Sequence, residues 1–357
     1  MQPHSEEDRL KASDPAGKAS FAAPASANIL VIRLKSMGDV LFTLPAVHAL
    51  RDHFPGAKIT FLTSKENRPL IEGFRDVNEI IEIDRSIFHR GNPWSVLRET
   101  WSLLRRLRRE KFSLAVDFQS FGETALLTWL TGAPERWGSV YQPVRGWAYT
   151  RRIKRNTSIH PGTDNLSLLQ QCGLPVGRIR NEFVLPEPVL AEARRLFSKM
   201  GLDVTGPTLF IQPFTSTPAK NWPLEKYLAL ASHWRSRKCQ VLFGGGPKDR
   251  ALLEPVIQAG FPTSAGASLL VTAGLTKLCS FIVGGDTGLI YLVVAMGKRA
   301  VILMSSRARD KTVSFPQYAD LPLTPPPGRE ISDIAVEVVV KACERCFIDA
   351  RPTDIPA

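Results

Sequence analysis

The strongest constraint on this chain is an order of elements that runs once and then starts again: apolar run, glycine-marked turn, helix-periodic stretch. Asn28-Ile-Leu-Val-Ile-Arg33 is apolar for most of its length, Gly38 follows, and a helical pattern runs from 40 to 53. Further strands are expected at 58–63, 79–83 and 114–117, with a long helix at 94–111 before the last of them. Prolines punctuate 185–188, a helix is expected at 189–200, and the order restarts with strands at 208–212, 239–243, 280–284 and 300–303. Short continuous apolar runs suit strands buried on both faces, and strands alternating with helices predict parallel sheets covered on both sides. The expected fold is α/β, with two Rossmann-like domains whose parallel sheets face each other across a cleft. Residues 28–187 are assigned to the first domain and 188–357 to the second, with 1–27 as a disordered tail. The terminal helix at 331–346 belongs to the second domain, with the option of packing back on the first.

Charge is uneven along this order. The chain carries 46 Lys and Arg against 34 Asp and Glu, a net charge of +12. Residues 1–100 balance at 13 and 13 and residues 251–357 at 10 and 10, so the excess lies in 101–250, with 23 basic against 11 acidic. An excess on folded structure rather than in a tail predicts a cationic face for an anionic partner: nucleic acid, an anionic membrane or a phosphorylated small molecule. No apolar run reaches the ~18 residues of a membrane-spanning helix. The first 27 residues, which include Glu6, Glu7 and Asp8, lack the order of a signal peptide. Five cysteines, an odd number, fit reduced thiols in the cytosol, and Cys343-Glu-Arg-Cys346 supplies only half of a four-ligand zinc site.

Several loops that follow strands carry chemistry. Arg33-Leu-Lys-Ser-Met-Gly-Asp39 ends the first strand and places Asp39 where a helix begins. A carboxylate there either caps free backbone N–H groups or stands in the cleft as a general base. Phe281-Ile-Val-Gly-Gly-Asp-Thr-Gly288 runs into a helix, so the backbone N–H groups of Thr287, Gly288 and Leu289 can converge on a phosphate, aided by the helix dipole. Pro213-Phe-Thr-Ser-Thr-Pro-Ala-Lys220 offers the hydroxyls of Thr215 and Ser216, and Lys220 as a point charge for phosphate. Gly244-Gly-Gly-Pro-Lys-Asp249 is a glycine turn able to lie against a nucleotide. Arg151-Arg-Ile-Lys-Arg155 is a basic cluster suited to phosphates. On the long helix, Leu97, Trp101, Leu104 and Leu107 are spaced 4, 3 and 3 and are expected to face the core, leaving five arginines elsewhere on the helix. The other reading of that helix is a membrane-surface element. His160 and Asp164 are expected to be structural.

Taken together, these pieces resemble the bacterial lipopolysaccharide heptosyltransferases of glycosyltransferase family nine. The resemblance is carried by 33–39, by Leu44-Pro-Ala46, Ala49-Leu-Arg51 and Phe54-Pro-Gly-Ala57, by Lys220-x-Trp222-Pro223, by Gly245-Gly-Pro-x-Asp249 and by Gly285-Asp-Thr-Gly288. It implies a GT-B fold and inverting transfer from a nucleotide sugar, ADP-heptose above others, to the anionic lipid-linked core oligosaccharide of lipopolysaccharide. The reaction would sit at the cytoplasmic face of the inner membrane, with peripheral membrane contact. By resemblance, Asp39 is the general base and Lys220 lies near the donor's phosphates. Asp286 is at the donor site, and Thr287 and Gly288 form the phosphate-binding turn. Asp249 is a candidate for the donor ribose. Lys35, Ser36, Arg151, Arg152 and Arg155 are assigned to the acceptor. No metal and no cofactor is expected. The family's usual histidine is Tyr291 here, and Met304-Ser-Ser306 replaces a usual Gly-Pro-Thr. The competing reading is a diverged relative that binds a nucleotide sugar or an anionic glycolipid without transfer. A nucleic-acid partner is not expected, because no recognition motif accompanies the charge.

Overall fold

A computed structural model describes residues 27–90, 92–305 and 322–349. Nearly all of the expected tail, and Ser306, lie outside the described residues. The first part of the chain runs β1 (Asn28–Ile32), α1 (Met37–Leu41), α2 (Leu44–His53), β2 (Lys58–Ser64), α3 (Arg68–Ile71), β3 (Glu79–Ile83), α4 (Arg85–Arg90), α5 (Pro93–Arg109), β4 (Leu114–Asp117), α6 (Gly122–Leu130), β5 (Glu135–Val140), β6 (Arg151–Lys154) and α7 (Pro161–Gln171). The second runs α8 (Glu187–Lys199), β7 (Thr208–Gln212), α9 (Leu224–Ser236), β8 (Gln240–Phe243), α10 (Glu254–Gln258), α11 (Leu269–Leu278), β9 (Phe281–Gly285), α12 (Gly288–Ala295), β10 (Ala300–Leu303), β11 (Pro322–Leu323) and α13 (Val336–Asp349). These strands build a six-stranded sheet, ordered β3-β2-β1-β4-β5-β6, and a five-stranded sheet, ordered β11-β10-β9-β7-β8. Every pairing in both is parallel.

The central strands are buried along their whole length, as their apolar runs require: β4, β7, β9 and β10 have no exposed residue. The edge strand β6 alternates, with only Ile153 turned inward. That is why its sequence reads as a basic cluster and not as a strand. The helical pattern at 40–53 is two helices, because Pro45 occupies the first turn of α2 and the Thr43 hydroxyl turns back to the Val40 carbonyl at 2.6 Å. The terminal helix α13 packs on α9, β9 and β10, with Val339 and Cys343 in the core beneath the second sheet. Among the described residues its apolar face is covered by these elements of the second sheet.

The long helix departs from expectation. Leu103 and Leu107 meet the first sheet, whereas Leu97 and Trp101 point away from it, 59% and 67% exposed, beside Trp94 at 80%. The spacing of Leu97, Trp101, Leu104 and Leu107 had identified an apolar stripe but not the side of the helix that meets the sheet.

In both sheets the connections place the functional loops at the carboxyl ends of the strands, where open parallel sheets hold ligands. The two sets of loops meet where α1 packs against α12. Gly288, the first residue of α12, lies against the end of the Met37 side chain: a Cβ there would stand 2.9 Å from Met37 Sδ, and Met37 would have to move. Between the sheets, the backbone N–H of Phe183 donates to Ala295 O at 2.7 Å and that of Val184 to Gly73 O at 3.2 Å.

Candidate active site

On the first sheet, the site is built around Asp39. Ser36 caps α1, and Asp39, three residues on, accepts from the Ser36 N–H at 3.2 Å and the Ser36 hydroxyl at 3.1 Å. Asp39 is therefore not the cap residue itself but the return partner of a capping box. The same carboxylate oxygen, Oδ2, lies 2.8 Å from Arg33 Nη2. Arg33 is buried and is held by two carbonyls, Lys35 O at 3.0 Å and Phe118 O. Burial lowers the Arg33 pKa from its ordinary value and the charge of Asp39 opposes that shift. The Leu34–Lys35 backbone is fixed by Gln119 Oε1, which accepts from both N–H groups at 3.0 and 3.1 Å.

A second layer supports this loop. Asp117, at the end of β4, is fully buried and accepts from the N–H groups of Gln119 and Ser120 and from the Tyr149 hydroxyl at 2.8 Å. Desolvation pushes its pKa up. Tyr149 reaches it because its ring lies on Gly138, where a Cβ would stand 2.5 Å from the ring. His160 caps α7 by accepting from the Gly162 N–H at 3.1 Å, and its ring meets Phe42 edge-on at 4.5 Å. Burial depresses its pKa to about 4, against a smaller upward pull from Asp39. Asp164, also buried, accepts from Ser139 and from the Asn156 N–H.

On the second sheet, Lys220 closes the 3-10 turn Pro218–Lys220 after β7, and its Nζ lies 2.8 Å from Asp286 Oδ2 after β9. The other oxygen, Oδ1, accepts from the Tyr291 hydroxyl at 2.6 Å. Burial and the neighbouring carboxylate both push the Tyr291 pKa up, so it stays a neutral donor. The Tyr291 ring packs edge-on against Phe42 at 4.7 Å, which joins the second sheet's cluster to the first sheet's loop. Thr287 caps α12 by accepting from the Ile290 N–H, which leaves Gly288 and Leu289 as the first residues of its opening turn.

The remaining predicted residues divide. Thr215 packs its methyl over Gly285 and gives its hydroxyl to Thr217 O at 2.8 Å. Ser216 is exposed on the same loop. Asp249 closes the glycine turn by accepting from the Gly246 N–H at 2.8 Å. On the acceptor side, Lys35 lies 3.8 Å from Glu123 and near the Phe121 ring, and Ser36 is the cap already described. Arg155 comes to the site: it donates to Phe118 O, which Arg33 also engages, and lies 3.5 Å from Asp164. Arg151 and Arg152 do not. Arg151 opens β6, at the end away from the loops, where it binds Glu135 and the Cys172 carbonyl at the far end of α7. Arg152 lies against Gly146. The cluster 151–155 is thus not one phosphate patch, because successive strand residues point to opposite faces. Sequence reasoning missed Gln119 and Asp117, which have no local signal, and the part played by Arg33 and Tyr291, which were visible only as motif neighbours.

Two parallel sheets whose loop-bearing ends meet are the GT-B architecture, and the chain is a glycosyltransferase. It belongs to glycosyltransferase family 9 (heptosyltransferase), whose family model matches residues 100–319. Lipopolysaccharide heptosyltransferase 2 of Escherichia coli K12 is 25% identical over 301 residues, 80% of this chain and 84% of that protein. A glycosyltransferase family 9 structure from Veillonella parvula superposes with a TM-score of 0.79 at 19% identity, covering 90% of this chain and 97% of the other. The E. coli heptosyltransferase WaaC with ADP-2-deoxy-2-fluoro heptose superposes at 0.70 and 19% identity, covering 89% and 99%.

Proposed function

We propose that this protein is an inverting heptosyltransferase that moves heptose, or a closely related sugar, from ADP-heptose to the core oligosaccharide of lipopolysaccharide at the cytoplasmic face of the inner membrane. The observation that carries the proposal is the packing of α1 on α12, which brings the loop that carries Asp39 on one sheet to the helix that follows the Lys220–Asp286 pair on the other. In this reading Asp39 takes the proton from an acceptor hydroxyl as its oxygen attacks the anomeric carbon. The bond from that carbon to the diphosphate breaks, and the nucleoside diphosphate leaves with the electron pair. Lys220 and the first-turn N–H groups of α12, at Gly288 and Leu289, stabilise the charge that develops on it. Asp286 and Tyr291 hold Lys220 in position. Thr215, Ser216, Thr287 and Asp249 border the donor, and Lys35, Ser36 and Arg155 border the acceptor. No step calls for a metal.

The donor assignment is supported by the sugar nucleotide bound to the E. coli structural relative, and the acceptor by the lipopolysaccharide relatives. A thermal-shift screen of ADP-, GDP-, UDP- and dTDP-sugars tests the donor, since a ligand bound only to the folded state raises stability by mass action. ADP-heptose is expected to give the largest shift, and Asp39→Ala to bind it but not turn it over. A shift confined to another nucleotide overturns the donor, and unchanged turnover in Asp39→Ala overturns the base.

A further inference from the structure

The first sheet's outer layer carries an apolar surface that is exposed among the described residues. Trp94, Leu97 and Trp101 recur at three- and four-residue steps on the side of α5 opposite Leu103 and Leu107. Arg98 follows Trp94 by four and Arg105 follows Trp101 by four, so both arginines share that outward face. Next to α5 lies α6, joined to it where the Arg108 guanidinium donates to Leu130 O. Beyond α6 is the turn Pro143–Ala148, and across that boundary the exposed rings of Trp129 and Trp147 meet at 5.8 Å. Val144, 74% exposed, belongs to the same turn as Trp147. Crossovers of one hand put α5, α6 and this turn on the same side of the sheet.

We infer that this face docks on an anionic lipid bilayer. Tryptophans settle at the membrane–water interface, with an apolar body in the acyl boundary and a polar N–H among the headgroups. An amphipathic helix with Trp and Leu on one side and arginines around them lies in that plane. Charge selects the occupant. The helix α5 carries five arginines against a single glutamate, so an anionic surface attracts it while a second copy would bring like charges together. Position fits as well. At the carboxyl end of α5 the Glu110 carbonyl accepts from Asn28 at the start of β1, so the amino end with Trp94 lies at the end of the sheet that carries Asp39. Docking therefore sets the site's mouth beside the bilayer, within reach of a lipid-linked acceptor. The inference deepens the acceptor reading above and rests on it for its purpose, but not for its test.

The test uses the full-length protein and sugar-free vesicles, so donor and acceptor play no part. Co-sedimentation is measured with phosphatidylglycerol/phosphatidylethanolamine vesicles and with phosphatidylcholine vesicles. Two variants are compared: Trp94→Ser with Trp101→Ser, and Arg98→Glu with Arg105→Glu. All four side chains are exposed, and unchanged melting temperatures confirm intact folding. The wild type is expected to bind the anionic vesicles in preference, and the tryptophan pair to bind about tenfold more weakly or worse. The arginine pair is expected to lose about fivefold per residue, with the loss fading at high salt. No binding by the wild type, or binding by both variants as tight as the wild type's, overturns the inference. So does concentration-dependent dimerisation in sedimentation velocity that the tryptophan variant abolishes, because the face would then belong to a second copy.

Discussion

Asp39 carries two duties that can be separated. Its carboxylate offsets the buried charge of Arg33 and completes the start of α1, and in the proposed reaction it accepts a proton. Asp39→Asn keeps the shape and removes the charge. Turnover is expected to fall about 10²–10⁴-fold, the usual contribution of a general base. Stability is expected to fall as well, by about 1–3 kcal/mol, because Arg33 keeps its carbonyl partners but loses its counter-charge. The double variant Arg33→Met/Asp39→Asn should recover part of that stability in a denaturant melt and none of the turnover. Activity returning together with stability would reduce Asp39 to a structural residue. His160 gives a second test at this scale. Its pKa is about 4 in the folded chain, below the ordinary value near 6.5. The unfolded chain therefore binds the extra proton first as pH falls. Stability linked to His160 is complete above about pH 6.5 and is lost progressively down to about pH 4, up to roughly 3 kcal/mol in all. His160→Asn, which can still cap α7, should remove that part of the pH dependence of the melting temperature. Parallel curves for the two proteins would rule the linkage out.

At the scale of elements, the strands of both sheets were the most legible part of the chain, because a strand buried on two faces has to be apolar at nearly every position. The edge strand β6 was not, since Arg151, Arg152 and Lys154 are free to be basic where only Ile153 packs. The site was legible where a loop carries its own chemistry, as at 33–39 and 285–289. It was illegible where a partner comes from far along the chain: Gln119 reaches the Leu34–Lys35 backbone across 84 and 85 residues. Helix packing adds a prediction that local propensity gets wrong. Gly274 sits inside α11, where alanine would favour the helix by about 1 kcal/mol. A Cβ there would lie 2.6 Å from the Cβ of Ala193 on α8, and two helices would have to separate. Gly274→Ala is expected to destabilise by about 1–3 kcal/mol in a urea titration, overpacking outweighing propensity. A neutral or stabilising result would show that α8 and α11 can part at little cost.

For the whole molecule, the question is how a donor held by the second sheet prepares the first. Two contacts join them at the loop ends. Gly288 lies against Met37, and the Tyr291 ring lies against Phe42. The Tyr291 hydroxyl is in turn bonded to Asp286, which holds Lys220. Any donor that engages Lys220 and the start of α12 therefore acts on groups that directly touch α1. Ordering these groups should be felt in Met37–Leu41, the helix that presents Asp39. Saturating ADP-heptose is predicted to slow amide hydrogen exchange at 37–41 about fivefold or more, the low end of ordinary coupling between sites. In Tyr291→Phe the ring contact remains but its bond to Asp286 is gone, so the slowing at 37–41 should shrink while protection at the start of α12 persists. Protection confined to 285–295 in both proteins would mean that the sheets act independently, and that Asp39 is positioned by its own loop and Arg33 alone. Protection that spreads to 37–41 only in the wild type would make Tyr291 the link through which donor binding aligns the base.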